Sequence, residues 1–327
     1  MKKIGLFLIV VCVLMLCACS AKENHPENSV MQSRETETER KIQLPEKLST
    51  NQEGIPILSV YQVDEESLEE MDIETYVQGV LAGEMKNDWP MEALKAQAIL
   101  ARTFVLKFCS EKESRYQDAD ISTDVEEAQA YDSTGINDRI QRAVRETEGM
   151  VLSNHGELPY AWFHAHSGGA TALAKEGLGY EKNEPDYTQV VKGMDSDQAP
   201  AEAANWEAYF SVDEIIAGAK ECGLQISTLE SIEIGDTGES GRAETIALNG
   251  QNVNAAKLRI ALGSTKMRST LLTNLRMENG KVLMRGKGYG HGVGMPQWGA
   301  YALAKEGKTA EEIVLYYFRN VVLEKVW

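Results

Sequence analysis

Three short segments of the chain carry residue types that could do chemistry. The first is GVLAGEM, where Glu84 stands among Val80, Leu81 and Met85. Apolar neighbours desolvate a carboxylate and raise its pKa, as a general acid requires; a solvated helix-end glutamate is the other reading, because most glutamates are exposed. The second is FHAHSGGATA, residues 163–172, in which a strand runs into a Gly168-Gly169 turn bearing His164, His166 and Ser167. Histidines at i and i+2 share one strand face, which suits metal ligation or a pair of hydrogen-bond donors. A satisfied structural histidine and a tight turn are the alternatives. The third is GKGYGHGVGMPQWGA, with six glycines from Gly286 to Gly299 around Tyr289, His291 and Gln297. Glycine at this density allows close backbone approach, to a ligand or to a packed neighbour. It lacks the Gly-Lys-Ser/Thr ending of a phosphate loop and the spacing of a dinucleotide fingerprint.

The flanking pattern says which elements must position these residues. Ile55 to Val63 alternates as a strand, Asp72 caps a helix carrying Ile73, Tyr76, Val77, Val80 and Leu81, and Pro90 opens a second helix with Leu94, Ala98, Ala101, Val105 and Phe108 on one stripe. A third helix runs from about Asn137 to Glu148, and VLSNHGELPYAWF reads as two strands around an Asn154–Gly156 turn. Ser211 with Glu214, and Thr309 with Glu312, have capping-box spacing. Residues 230–248 read as a hairpin, Asn249-Gly250 and Asn279-Gly280 as hairpin turns, and Gln297 to Glu306 as an amphipathic helix. Interspersed helices and antiparallel hairpins without a repeat give an α+β class built around one catalytic cleft.

The 327 residues carry 50 acids against 33 bases, a net charge of −17, and no long Lys/Arg run. Counterion-release binding to a polyanion is excluded on that balance, and nucleic acid is not an expected partner. Lys2 and Lys3, the apolar run Ile4 to Leu16 and the sequence LCACS form an export signal, with residues 1–18 removed or kept as a membrane anchor. The body is expected outside the cytoplasmic membrane. Residues 19–54 read as a disordered polar tether and 55–327 as the catalytic domain, with 195–275 a candidate inserted subdomain. Cys109 and Cys222 are buried thiols or a single bridge, not a disulfide framework.

DIETYVQGVLAGEM with EALKAQAILARTF, then QAY at 129–131, AWFHAHSGG and GYGHGVGMPQWGA, in this order, resemble the SpoIID/LytB family of bacterial cell-wall proteins over about Ile55 to Phe318. LCAC likewise resembles a lipobox, making Cys19 the diacylated residue. The family resemblance implies a lytic transglycosylase of peptidoglycan glycan strands, acting in wall remodelling linked to sporulation, with Glu84 as its one acid–base carboxylate and no cofactor. It implies an amidase and membrane-anchored proteins as partners. Gln97, Arg102, His164, Ser167, Gly168, Gly169, Tyr289, His291 and Gln297 are then the expected substrate contacts, with a structural ion pair as the alternative for Arg102. Asp88 and Asp124 are the candidates for a second carboxylate, should an ordinary glycosidase mechanism apply.

Two departures from the family pattern stand out. Some relatives carry zinc-binding cysteines ahead of the QAY motif, whereas Glu111 to Tyr131 holds no Cys or His here, so no metal is expected. His166 stands where relatives have a small residue. The competing functions are a non-catalytic enhancer of an N-acetylmuramoyl amidase and a metal amidase using His164, His166 and His291, the latter lacking an evident fourth ligand or base.

Overall fold

Asp72, Asn137, Ser211, Asn254 and Thr309 each start a helix by binding its free amides, and a proline stands before three others. The computed structural model describes residues 41–327; the expected leader, Cys19 and the first part of the tether lie outside the described residues. Strand β1 (Ile57–Gln62) turns Leu58, Val60 and Gln62 inward. It pairs antiparallel with β2 (Ser67–Asp72) and parallel with β3 (Ile121–Ser122). Asp72 caps α1 (Ile73–Glu84) by accepting from Thr75 N at 2.9 Å. Pro90 precedes α2 (Met91–Glu111), whose stripe of Leu94, Ala98, Ala101, Val105 and Phe108 is buried. Then come α3 (Asp138–Glu146), capped by Asn137, and the short strands β4 (Met150–Ser153) and β5 (Phe163–His164).

Further along are α4 (Ala174–Leu178), α5 (Ala201–Ala204), β6 (Asn205–Ser211) and α6 (Val212–Glu221), the last opened by the Ser211–Glu214 capping box. Strands β7 (Ile232–Ile234), β8 (Thr245–Leu248) and β9 (Gln251–Asn254) form an antiparallel sheet ahead of α7 (Ala255–Ala261). Strands β10 (Leu272–Glu278) and β11 (Lys281–Lys287) complete a second sheet in the order β10-β11-β6. The chain closes with β12 (Met295–Pro296), α8 (Gln297–Lys305), α9 (Ala310–Tyr317) and β13 (Val322–Lys325). Both Asn-Gly pairs adopt the left-handed backbone of tight hairpin turns, Asn249 and Gly250 at φ 51° and 76°, Asn279 and Gly280 at 51° and 73°.

The class is α+β, as expected, with parallel strand pairing at β1·β3 and β5·β12 and one isolated parallel bridge, Ala172 to Val293, among the described residues. One apolar core gathers around α2, with α1, α3, α8, α9 and β4 against it. Another lies between the β10-β11-β6 sheet, α6, α7 and the β7–β9 sheet, and contains Trp206, Phe210, Ile246, Leu258 and Met284. Cys109 and Cys222 are free thiols, and burial pushes the Cys109 thiol up to about 12.

Three expectations need correction. The ordered body starts before Ile55: Ile42 is buried and Leu44 and Leu48 pack on the main core, so apolar residues too sparse to show a period still anchor the chain. The Asn154–Gly156 turn forms, but its flanks pair with each other only at the Asn154–Glu157 bridge; β4 pairs with β13 and β5 with β12. SLEEMD is an unforeseen strand, because β2 lies at a sheet edge with its first four residues exposed and shows no alternation.

Gly83 lies where α1 meets the chain at Ala130 and Tyr131. A Cβ there would stand 2.7 Å from Tyr131 N and 2.8 Å from the Ala130 carbonyl carbon. Gly83→Ala should gain about 1 kcal/mol of helix propensity and lose about 1–3 kcal/mol to overpacking against backbone. A net loss of stability in urea denaturation is expected; a gain would show that the 129–131 segment yields freely.

Candidate active site

Glu84 is the last residue of α1, half-buried beside the start of α8. Two donors reach its carboxylate from distant parts of the chain. Ala130 N–H donates to Oε1 at 2.9 Å, and Gln297 Nε2 donates to Oε2 at 3.1 Å and to the Glu84 carbonyl at 3.2 Å. Burial raises the Glu84 pKa above its ordinary 4.5, while the two hydrogen bonds favour the ionised form and pull the other way. The result is a carboxyl that holds its proton to higher pH than an exposed glutamate, in a fixed orientation. Gln297, expected among the substrate contacts, is hydrogen-bonded to this group.

The Ala130 amide is delivered by a loop organised around a second carboxylate. Glu127 accepts from Ser114 Oγ at 3.0 Å, Arg115 N at 2.6 Å and Ser122 Oγ at 2.6 Å. Asp124 accepts from Tyr116 Oη at 2.9 Å and Arg115 Nη1 at 3.2 Å. Both acids thus tie the segment between α2 and the 129–131 stretch, and the Glu126 amide, with Tyr116 and Arg115, holds the Asp124 carboxyl below its usual range. Asp124 is a loop fastener, and Asp88 is an exposed turn residue; neither is hydrogen-bonded to Glu84. Sequence reasoning missed Glu127, which stands in the acidic run DVEE with no local signal of its partners.

Gln97 and Arg102 do not face a substrate. Both are fully buried. Arg102 forms a two-pronged pair with Glu74, Nε to Oε1 at 2.9 Å and Nη2 to Oε2 at 2.6 Å, and donates through Nη1 to the Met150 carbonyl at 2.9 Å. Its expected sugar contact gives way to the structural ion pair. Gln97, like the unforeseen Gln129, has a buried amide with no hydrogen-bond partner among the described residues.

The histidines diverge because a bend at Ala165 ends the strand alternation after His164. Buried His164 donates through Nδ1 to the Val293 carbonyl at 3.1 Å, and its ring lies 5.5 Å from that of His291. His291 Nδ1 accepts from Val293 N at 3.0 Å. Burial, then the neighbouring His291 and Arg242, hold His164 well below the ordinary histidine range; burial, Arg259 and Arg242 bring His291 to about 3. His166 accepts from Gly168 N at 3.0 Å and lies 3.5 Å from Asp195 Oδ2, with burial lowering its pKa. All three rings are therefore neutral near pH 7 and point their nitrogens at different partners. Among the described residues no three His, Cys, Asp or Glu side chains group as metal ligands.

Ser167 is fully buried and also corrects the expectation of a sugar contact. Its amide donates to Asp195 Oδ1 at 2.9 Å, its hydroxyl donates to Asp195 Oδ2, and its carbonyl accepts from Arg242 Nη2 at 2.5 Å. The glycine-rich loop is built for packing: a Cβ at Gly292, where φ is 88°, would stand 2.4 Å from the Arg242 guanidinium carbon. Tyr289 is half-buried, bridged to His166, with the Arg268 guanidinium 5.2 Å from its ring centre.

Gly168 and Gly169 do reach a cleft of about 770 Å³, together with His166, Lys192, Asp195, Tyr301 and Lys305. Glu84 is not among its lining residues; α8 links the two, with Gln297 at Glu84 and Tyr301 and Lys305 in the cleft. Between them Trp298 packs on Trp89 at 4.5 Å and on Tyr301 at 5.3 Å between ring centres. This aromatic group, dispersed in sequence, was not foreseen; Trp89 is buried and Trp298 partly open.

The family model for the Stage II sporulation protein SpoIID matches residues 61–154, which include Glu84 and Ala130. A Brachyspira hyodysenteriae protein described as uncharacterized is 31% identical over 254 residues, 77% of this chain and 66% of its own length. The Stage II sporulation protein D of Bacillus subtilis is 27% identical over 348 residues, 99% of this chain and 96% of its own length. The amidase enhancer of Bacillus subtilis is 25% identical over 291 residues, 76% of this chain and 40% of its own length.

Arg102→Ala should cost about 3–5 kcal/mol, because it leaves the buried Glu74 carboxylate unpaired. Replacing both partners, Arg102→Met with Glu74→Leu, should recover most of the loss in urea denaturation. An unchanged midpoint with lost activity would instead return Arg102 to the substrate.

Proposed function

The chain belongs to the SpoIID family, and on that premise we propose that it is a peptidoglycan lytic transglycosylase with Glu84 as acid and then base. The observation that carries the reading is the Glu84 carboxyl itself, its pKa raised by burial and its two oxygens clamped by Ala130 and Gln297. The protonated carboxyl donates to the glycosidic oxygen between N-acetylmuramic acid and N-acetylglucosamine as an oxocarbenium-like centre develops at C1. The resulting carboxylate then takes the proton of the muramic C6 hydroxyl, whose oxygen closes on C1 to give a 1,6-anhydro end. No water is consumed and no second carboxylate is needed, in keeping with hydrogen-bond partners at Glu84 that are an amide and a glutamine. The Ala130 N–H and the Gln297 amide stabilise the anion formed halfway.

Relatives named for stage II of sporulation support a place in sporulation. Wall remodelling outside the cytoplasmic membrane, with attachment through a lipid on Cys19, completes the proposal; among the described residues no helix is long and apolar enough to cross a membrane. The relative named amidase enhancer favours a second reading, in which the chain stimulates an N-acetylmuramoyl amidase and cuts nothing.

Mass spectrometry of glycan products separates the two. Wild type should release anhydro-ended fragments from glycan strands, and Glu84→Gln should release none while keeping its fold. Reducing ends formed with water uptake would rule out the transglycosylase, and an amidase stimulated equally by both proteins without glycan cleavage would establish the enhancer.

The pH profile tests the clamp. Donation requires protonated Glu84, so kcat/KM should fall as pH rises through its raised pKa. Gln297→Ala removes a bond that favours the anion, so it should move that falling limb to higher pH while lowering the rate. A limb displaced to lower pH would contradict the assignment.

A further inference from the structure

The last turns of α2 border an aromatic cavity that the Glu84 site does not use. Phe104 and Phe108 stand roughly 20–25 Å along the helix from its start beside Glu84, at 1.5 Å per residue. With Tyr160, Trp162, Leu178 and Tyr180 they enclose about 270 Å³, near the small end of ligand pockets, which span roughly 300–1,000 Å³. Tyr160 and Trp162 lie side by side, ring centres 5.1 Å apart and planes within 15°. Tyr180 meets Trp162 edge-on at 5.9 Å and 76°, which makes a second wall at a right angle to the first. All three rings are partly open to solvent rather than sealed in the core.

Cations stand at the rim of this otherwise acidic protein. Lys112 is exposed, lies 5.7 Å from the Phe108 ring centre and makes no ion pair with the described residues. Lys107 lies 5.0 Å from the Tyr160 ring centre and is paired with Glu111 at 2.6 Å, and Tyr160 Oη also donates to Glu111. Lys107 is thereby neutralised, and Lys112 is the cation among the residues that line the cavity.

We propose that this cavity is a second glycan-binding site, remote from Glu84, that takes one N-acetylmuramic acid ring, with Lys112 meeting its lactyl carboxylate. The C–H faces of a pyranose carry slight positive charge and stack on the negative faces of Tyr160, Trp162 and Tyr180. A cavity of this size holds one ring and not a strand, and the ammonium at its mouth selects the sugar that bears an acid. The identity of the sugar rests on the proposed peptidoglycan substrate. Its work would be to hold a strand while another part is cut.

Binding to the full-length Glu84→Gln protein tests this without any cleavage, so a failure of the transglycosylase reading does not touch it. The signal is the tryptophan fluorescence change that disappears in Trp162→Phe. A soluble tetrasaccharide of alternating N-acetylglucosamine and N-acetylmuramic acid should produce it, and an N-acetylglucosamine tetramer should bind about tenfold more weakly, as should the muramic ligand to Lys112→Ala, for loss of one charge-assisted contact. Tyr180→Ala should weaken both ligands. Lys112→Ala and Tyr180→Ala, made in the wild-type chain, should cut short soluble fragments at the wild-type rate and sediment less with whole sacculi. No Trp162-dependent signal with either glycan would overturn the site, and equal affinity for the two tetrasaccharides would overturn the carboxylate contact.

Discussion

One hydrogen-bonded contact, between the amide of Gln297 and the carboxyl of Glu84, spans 213 positions of sequence and sets the geometry of everything near it. It joins the end of α1 to the beginning of α8. The same amide holds the Glu84 main-chain carbonyl, so the two helix ends are fixed as backbone as well as side chain. Helix α8 is in turn seated by Gly299, where a Cβ would stand 2.2 Å from the Gly193 carbonyl and from the Tyr317 hydroxyl. These supports hold the carboxyl in one orientation.

Buried charge does the joining elsewhere. Arg242 comes from the loop between β7 and β8, yet its guanidinium lies inside the other half of the molecule, donating to the carbonyls of Ala170 at 3.0 Å and Ser167 at 2.5 Å. Burial brings its pKa down to about 10, so it keeps its charge at any physiological pH. Glu176 meets the same loop through the Ser240 hydroxyl at 2.9 Å. The second core is therefore fastened to the Gly168–Gly169 turn by polar contacts, and the first core is fastened internally by Arg102 and Glu74. Such pairs add little net stability but are severe to break, which favours one arrangement over its near alternatives.

Local chemistry was legible in the sequence and distant pairing was not. Asp72, Asn137, Ser211 and Thr309 cap the helices assigned to them, and both Asn-Gly turns form, because these signals act within four residues. The α2 stripe is buried as its period required. Glu84 could be singled out by its apolar neighbours and by family resemblance, but its donors could not, since Ala130 offers only a backbone amide and Gln297 arrives from the far end of the chain. Arg102, Ser167 and Gln97 show the converse error. A polar residue beside a recognisable motif invites a binding role, and only burial reveals that it serves the scaffold. The glycine-rich loop left ligand and neighbour equally open, and Gly292 against Arg242 decides for the neighbour.

The order of the pieces along the chain has a consequence in time. Glu84, its loop amide and the histidine segment are all made before the second core, whereas Gln297 and the glycine-rich loop come after it. A growing polypeptide can complete α1 and α2 and still lack the clamp that orients its acid, because contacts of such long separation close last. Synthesis must pass residue 297, with the whole intervening core in place, before the carboxyl acquires its working surroundings. Any chain cut short in between holds the Glu84 carboxyl without the Gln297 amide that orients it.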